Sequence, residues 1–140
     1  MRYKLFGIGV FLMLLASCRV KKEAGIEVVK LVETTQSWNG DLLPNYPKGK
    51  PEITVLKITI PPNTKLDKHY HTVINTGVLL KGELKVVDID KNILILKEGD
   101  VIVELVNKIH YGVNEKNKPA EIIVFYAGEE GLPVTVKTKD

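Results

Sequence analysis

Residues 68–82, KHYHTVINTGVLLKG, form the most specific pattern in this chain. Its two histidines, His69 and His71, alternate with Tyr70, and in a β-strand the side chains at i and i+2 lie on the same face. A third histidine, His110, follows 39 residues after His71, and the chain contains three histidines in all. Imidazole nitrogen is a common metal ligand, with bonds of about 2.0–2.1 Å to zinc. The spacing therefore predicts a metal site built from two residues of one strand and one residue of another.

Short strand-like segments surround this stretch on both sides. Turn residues recur roughly every 8–12 residues, and no segment after the N-terminal leader has the 3.6-residue period of a helix. Residues 38–51 contain three prolines and two glycines and are expected to form a loop. The pattern predicts an all-β sandwich or barrel. The predicted strands are residues 26–35, 53–60, 68–73, 77–81, 83–89, 93–97, 101–106, 109–113, 121–126 and 134–137.

The histidine-containing stretch resembles the first motif of the cupin superfamily. That motif runs glycine, five residues, His-x-His, three or four residues, glutamate, six residues and glycine. Here His69 and His71 form the His-x-His pair, and Gly82 stands at the final glycine. Asn63 occupies the opening glycine position and Asn75 the glutamate position.

A second cupin-like motif contains the third histidine. The family's pattern is glycine, five residues, Pro-x-Gly, two residues, histidine, three residues and asparagine. The matching positions are Gly99, Leu105, Asn107, His110 and Asn114, with Leu105 and Asn107 replacing the proline and the glycine. The resemblance covers about residues 52–137 and implies an all-β double-stranded β-helix, the jelly-roll cupin barrel.

The resemblance implies that a divalent metal ion binds through His69, His71 and His110 and is used on a small molecule. Without the glutamate, the ligand set is more similar to that of thiol-dioxygenase-type cupins than to manganese-binding germin-like proteins. Nitrogen ligands suit Fe, Zn, Ni or Cu. The expected activity is that of an oxygenase or isomerase. Two alternatives remain open, a non-catalytic module that captures a metal or small molecule at a membrane surface and a purely structural envelope protein.

Asn75 is the main departure from the family's motif. It either lends an amide oxygen to the metal or only hydrogen-bonds near the site. Strand parity puts Asn75 on the face of the histidines, but a straight strand would place it about 13 Å beyond His71. Direct ligation therefore requires the chain to bend near Val73.

Three further residues are weaker candidates for the ligand-binding pocket. Glu104 lies in an apolar predicted strand and would be a general base if buried, although the solvated face is its expected position. Tyr111 and Tyr126 would line the pocket, although core packing with a bonded hydroxyl is the commoner role of such residues.

The N-terminus has the features of an export signal. Arg2 and Lys4 precede an uncharged run that ends at Ser17 and is shorter than the ~20 residues needed to span a bilayer. The end of this run, Leu-Ala-Ser followed by Cys18, resembles a bacterial lipobox, in which the cysteine carries the lipid. The resemblance implies lipidation of Cys18 and anchoring of the protein to a membrane of the cell envelope.

Three segments follow from this interpretation. Residues 1–17 are the signal peptide, residues 18–25 are the lipid anchor and tether, and residues 26–140 are the cupin barrel domain. Arg19 stands where an aspartate would retain a lipoprotein in the inner membrane. The resemblance therefore implies the outer membrane in an organism with two membranes.

Composition narrows the range of partners. The formal net charge of +3 is too small to indicate nucleic-acid binding. A single cysteine excludes an intrachain disulfide framework and a multi-cysteine metal cluster. The expected partners are a small-molecule ligand, the membrane, and a second copy of the chain, because residues 26–35 would pair with a partner's sheet edge.

Overall fold

The alternation of apolar and polar residues becomes a set of β-strands in the computed structural model, which describes residues 25–138. These residues form ten strands and no helix, so the prediction of an all-β fold is confirmed. The strands are β1 (Pro51–Ile60), β2 (Thr64–Lys65), β3 (His69–Tyr70), β4 (Ile74–Lys81), β5 (Glu83–Asp88), β6 (Ile93–Lys97), β7 (Val101–Val103), β8 (His110–Asn114), β9 (Ala120–Glu129) and β10 (Val136–Lys137).

The strands form two antiparallel sheets. The first has the order β1-β9-β4-β7, and the second has the order β10-β3-β8-β5-β6 with β2 paired to β8. Successive strands cross repeatedly from one sheet to the other, as in β3 to β4, β6 to β7 and β8 to β9. This winding is that of a jelly roll, the double-stranded β-helix expected from the sequence.

The core lies between the sheets because each strand turns alternate apolar side chains inward. β9 buries Ile122 and Val124 from the first sheet, and β5 buries Leu84 and Val86 from the second. These residues belong to one contiguous cluster. Each fully buried aliphatic side chain of this size stabilises the fold by about 1.5–3 kcal/mol.

Two predicted strands are shorter in the structure. Residues 68–73 contribute only β3, and residues 101–106 contribute only β7. Beyond these strands His71 and Val106 form a single parallel bridge, and Asn107 takes a left-handed conformation with φ 55°. A residue with positive φ cannot continue an extended strand, so the chain leaves the sheet here.

The predicted first strand, residues 26–35, is not formed. Residues 25–34 have no strand pairing, and Ile26 and Val28 are 99% and 88% exposed. Composition alone favoured a strand, but a strand also needs a neighbour to take its backbone hydrogen bonds. Pairing of this segment with a second copy of the chain stays a prediction.

The predicted leader, residues 1–17, and the lipidation residue Cys18 lie outside the described residues. The structure of residues 25–138 contains no helix long and apolar enough to cross a membrane.

Candidate metal centre

Three histidine side chains meet between the two sheets. His69 in β3 lies directly opposite His110 in β8 in the antiparallel register, so both side chains project from one face. His71 lies two residues further along that face, and its carbonyl accepts a 2.7 Å hydrogen bond from the Asn107 backbone N–H. The three ring centroids lie 4.6, 5.0 and 5.1 Å apart. One ring nitrogen of each histidine lies within 4.8 Å of those of the other two.

Hydrogen bonds fix the same tautomer in all three rings. Nδ1 of His69 lies 2.8 Å from the Asp67 carbonyl, Nδ1 of His110 lies 2.9 Å from the Lys108 carbonyl, and Nδ1 of His71 lies 3.1 Å from a third carbonyl, that of Val134. A carbonyl oxygen can only accept, so each Nδ1 must carry the proton and donate it. Each Nε2 therefore keeps its lone pair, which is the arrangement found in metal-binding histidines.

Burial keeps the three rings neutral. Desolvation lowers the pKa of His69 and of His110, and it lowers the pKa of His71 to about 3, with further contributions from its two histidine neighbours. A protonated ring could not bind a metal, because the proton would occupy the ligand atom. The site is therefore ready to accept a cation at neutral pH.

The residues present fit a divalent transition metal. Three neutral imidazoles are suitable ligands for Zn, Cu, Fe or Ni. Nε2 of His110 is buried without a hydrogen-bond partner among residues 25–138, a costly state for a polar atom. A cation bound at its lone pair removes that cost. Three protein ligands also leave coordination positions for water or a small molecule.

Glu104 is buried beside the histidines, so its predicted position on the solvated face was wrong. Its carboxylate oxygen Oε2 lies 3.5 Å from Nε2 of His110. Desolvation raises the pKa of this carboxyl to about 7. The sequence held the signal, because Glu104 has the same strand parity as Ile102, which is an inward residue of β7.

The cupin domain family model matches residues 56–126. The chain belongs to the cupin family. No curated protein matches its sequence.

Solved structures agree with the cupin fold. A protein with a double-stranded β-helix domain from Klebsiella pneumoniae has a TM-score of 0.54 and 16% identity, over 69% of this chain and 90% of that one. A DMSP lyase from Ruegeria pomeroyi has a TM-score of 0.55 and 17% identity, over 61% of this chain and 43% of that one. An oxalate oxidase in complex with the substrate analogue glycolate has a TM-score of 0.53 and 18% identity, over 61% and 46%. These identities show the shared fold alone.

The departures from the cupin motif glycines have a backbone explanation. Asn63 and Asn107 stand where the family has glycine, and both adopt positive φ, 51° and 55°. Asparagine tolerates this left-handed conformation better than most residues. Gly82 keeps the family's residue because a side chain there would lie 2.9 Å from the Pro119 carbonyl oxygen. Two of the motif glycines are thus replaced by asparagine without loss of the left-handed backbone conformation.

The two tyrosine candidates lie in different places. Tyr126 in β9 is buried with its ring centroid 5.5 Å from that of His71, and burial raises the pKa of its hydroxyl. Tyr111 alternates with the inward residues His110 and Gly112 of β8 and contacts Lys65, whose Nζ lies 4.3 Å from the ring centroid. The structure therefore brings Tyr126 into the histidine pocket and leaves Tyr111 on the other face of its strand.

Asn75 is buried in β4, between Tyr126 of β9 and Glu104. Its Nδ2 donates to the Val73 carbonyl at 3.1 Å, and its Oδ1 has no partner among the described residues. The small cavity lined by the three histidines is also lined by Tyr126 and Glu104. Asn75 is not among its lining residues. Ligation of the metal by Asn75 stays a prediction.

Several contributors to the site were missed at the sequence level. The carbonyls of Asp67, Lys108 and Val134 orient the rings, and backbone atoms carry no side-chain signal. Thr135 and Lys137 line a cavity of about 230 Å³ that includes His69, His71 and Tyr126 in its wall. They lie in and next to β10, which pairs with β3, and that pairing between distant segments cannot be seen in the sequence.

Proposed function

We propose that this cupin binds a divalent metal ion through Nε2 of His69, His71 and His110. The observation that carries the proposal is the shared tautomer: each Nδ1 donates to a carbonyl. Three lone pairs are thereby left on ring nitrogens within 4.8 Å of one another. Convergent neutral acceptors without a cation are electrostatically unfavourable, so the arrangement is best explained as a metal site.

The second part of the proposal is that the site acts on a small molecule, as an oxygenase or isomerase. The metal, one of Fe, Zn, Ni or Cu, would supply Lewis-acid polarisation or bind O₂. Cavity space of about 230 Å³ borders His69 and His71, which suits a small-molecule ligand. Leu56, Ile58 and Tyr126 in its wall exclude water from one side of a bound molecule.

The ligand class follows from charge. Neutral imidazoles do not compensate the two positive charges of the metal, so a molecule that coordinates through an anionic oxygen is favoured. The oxalate oxidase with a similar fold was solved in complex with glycolate. Glycolate is a small molecule and is therefore a suitable probe here. A metal-loaded protein that binds such probes but turns none of them over would be the non-catalytic binding module.

The test of the metal site is metal content. The full chain, purified in mild detergent, is loaded with Fe(II), Zn(II) or Ni(II), desalted and measured by mass spectrometry. We expect about one ion per chain in the wild type and in Tyr111→Phe, a matched control on the other face of β8. His110→Ala should retain little metal, because two imidazoles hold a divalent ion weakly. Equal metal content in wild type and His110→Ala would overturn the proposal.

We further propose that the chain is lipidated at Cys18 and anchored in the envelope, in the outer membrane where two exist. The support is the leader sequence, an uncharged run followed by a lipobox-like Leu-Ala-Ser-Cys. Buried acyl chains contribute about 0.8 kcal/mol per CH₂, so more than one chain anchors a protein stably. Cys18→Ser should abolish labelling with a lipid precursor and release the protein from membranes. Unchanged labelling would refute the anchor.

A further inference from the structure

Two buried acceptor atoms face each other at the edge of the histidine cluster. Oε2 of Glu104 and Nε2 of His110 lie 3.5 Å apart, and neither has a hydrogen-bond partner among the described residues. Nε2 carries no proton, because the proton sits on Nδ1 and is donated to the Lys108 carbonyl. Two lone pairs at this distance repel unless a positive species lies between them.

The backbone places Glu104 next to Asn75, which stands at the glutamate position of the cupin motif. The register of β4 and β7 pairs Thr76 with Val103, and one step further the Glu104 backbone N–H donates to the Asn75 carbonyl at 3.1 Å. Directly opposed residues of antiparallel strands project to the same side. Glu104 is therefore the cross-strand neighbour of Asn75, the position at which the cupin motif has its glutamate.

We propose that Glu104 is a carboxylate ligand of the metal, contributed by the strand next to β4 in place of the motif glutamate. This inference rests on the proposed metal site and adds a fourth protein ligand to it. Oε2 of Glu104 lies 3.5 Å from Nε2 of His110, close to the roughly 3.0–3.4 Å between neighbouring donor atoms about 2.0–2.2 Å from an octahedral or tetrahedral ion. The carboxylate does not lie within 4.8 Å of all three histidine nitrogens, so ligation requires its side chain to rotate toward the cluster.

A carboxylate contributed by Glu104 also explains why position 75 holds a neutral asparagine. A glutamate at Asn75 would put a second carboxylate beside Glu104 in a buried site, and two adjacent carboxylates repel strongly when both are charged. One carboxylate leaves the site with a net charge of about +1 when a divalent ion binds, compared with +2 for three imidazoles alone. The inference therefore predicts that the carboxylate can be moved between the two positions but not duplicated without cost.

The experiment measures Co(II) and Zn(II) binding to the full chain in mild detergent. Dissociation constants come from competition with a chromophoric chelator, and the visible absorption of bound Co(II) reports its coordination number and ligands. The variants are Glu104→Gln, Glu104→Asp, and the double variant Glu104→Gln with Asn75→Glu. Glu121→Gln is the matched control, because its carboxylate pairs with Lys57 and Lys81 outside the barrel.

We expect Glu104→Gln to weaken binding at least tenfold and to change the Co(II) spectrum. Glu104→Asp keeps the charge but shortens the reach by one CH₂, so it should also change the spectrum and weaken binding. The double variant should recover part of the lost affinity, and Glu121→Gln should match the wild type in both measurements. Glu104→Asp provides the test if Glu104→Gln fails to fold.

The outcomes separate the two proposals. If the wild type binds metal, His110→Ala does not, and Glu104 variants equal the wild type in affinity and Co(II) spectrum, Glu104 is not a ligand and the three-histidine site stands. A proton shared between Glu104 and His110 would give this result. If neither the wild type nor His110→Ala binds metal, the proposed function itself fails.

Discussion

The side chains that a strand turns into the barrel form a row, and the two ends of such a row differ in polarity. The same strands contribute to both ends. In β4 the row begins at the polar Asn75 and ends at the apolar Leu79, and in β9 it runs from Tyr126 to Ile122. Every one of these residues is buried. The apolar end can be filled by close packing alone, whereas the polar end buries atoms that need a partner.

We expect fold stability to depend on the apolar end of each strand and ligand binding on the polar end. At the apolar end, burial stabilises the fold without further requirement. At the polar end, Nε2 of His110, Oε2 of Glu104 and Oδ1 of Asn75 have no hydrogen-bond partner among residues 25–138. Such groups destabilise a fold unless a ligand satisfies them. Changes at the apolar end should therefore alter stability, and changes at the polar end should alter binding.

The largest expected effect lies at the apolar end. Leu79→Ala removes a fully buried side chain from the core cluster and should lower the free energy of unfolding by about 2–5 kcal/mol. Leu80→Ala is the matched control, because Leu80 is 39% exposed on the other face of β4 and should cost far less. Urea denaturation of the metal-free chains measures both. Equal losses would mean that the inward row does not hold the core.

The second prediction concerns pH and Glu104 in the metal-free protein. Burial raises the pKa of Glu104 from the usual 4.5 to about 7, so ionisation is easier in the unfolded chain. The folded state therefore loses stability as pH rises from about 4.5 to about 7. Glu104→Gln removes this loss and should make the metal-free protein roughly 2–4 kcal/mol more stable than the wild type at pH 8. The difference should vanish near pH 4.5.

Glu121→Gln is the control for this pH dependence. Hydrogen bonds from Lys57 and Lys81 lower the pKa of Glu121, so its contribution is lost as pH falls and has the opposite sign. Denaturant midpoints of both variants between pH 4.5 and pH 8 test the prediction. If Glu104→Gln has the same pH profile as the wild type, the carboxyl of Glu104 is solvated and the burial argument fails.

The third prediction is that metal stabilises the fold through the polar end. A ligand at one hundred times its dissociation constant stabilises the native state by about 2.7 kcal/mol. Zn(II) should therefore raise the melting temperature of the wild type and of Leu79→Ala by similar amounts, and should not raise that of His110→Ala. If Zn(II) still raises the melting temperature of His110→Ala, the metal does not stabilise the fold through the polar end.

The pH window of this metal effect follows from the histidine pKa values. Desolvation lowers the pKa of all three rings below 6.5, so protons compete with the metal at lower pH than they would at exposed histidines. The Zn(II)-induced shift should persist through pH 6.5 and disappear further into the acid range. Loss of the shift at pH 6.5 itself would mean that the rings are solvated.

The sequence was sufficient for the fold and the histidines because both follow from local alternation. His69 and His71 share a face by parity alone, and the spacing to His110 matches a known motif. The charge of Glu104 favours a solvated face, whereas its parity with Ile102 favours the interior, and the structure follows the parity. The segment 26–35 was misassigned because composition favours a strand but cannot show whether a neighbouring strand is available.

The smallest expected effect is at Asn75. Its Nδ2 donates to the Val73 carbonyl, so Asn75→Ala loses one hydrogen bond, worth about 0.5–1.5 kcal/mol, and also removes the unpartnered Oδ1. Metal affinity should change less than tenfold, because Glu104 lines the cavity between the histidines and Asn75 does not. Thr76→Val is the control, since Thr76 also donates to a carbonyl, that of Ile102, from the other face of β4. Chelator competition measures the Zn(II) affinity of both variants. A hundredfold loss of affinity in Asn75→Ala but not in Thr76→Val would show that Asn75 is a direct ligand of the metal.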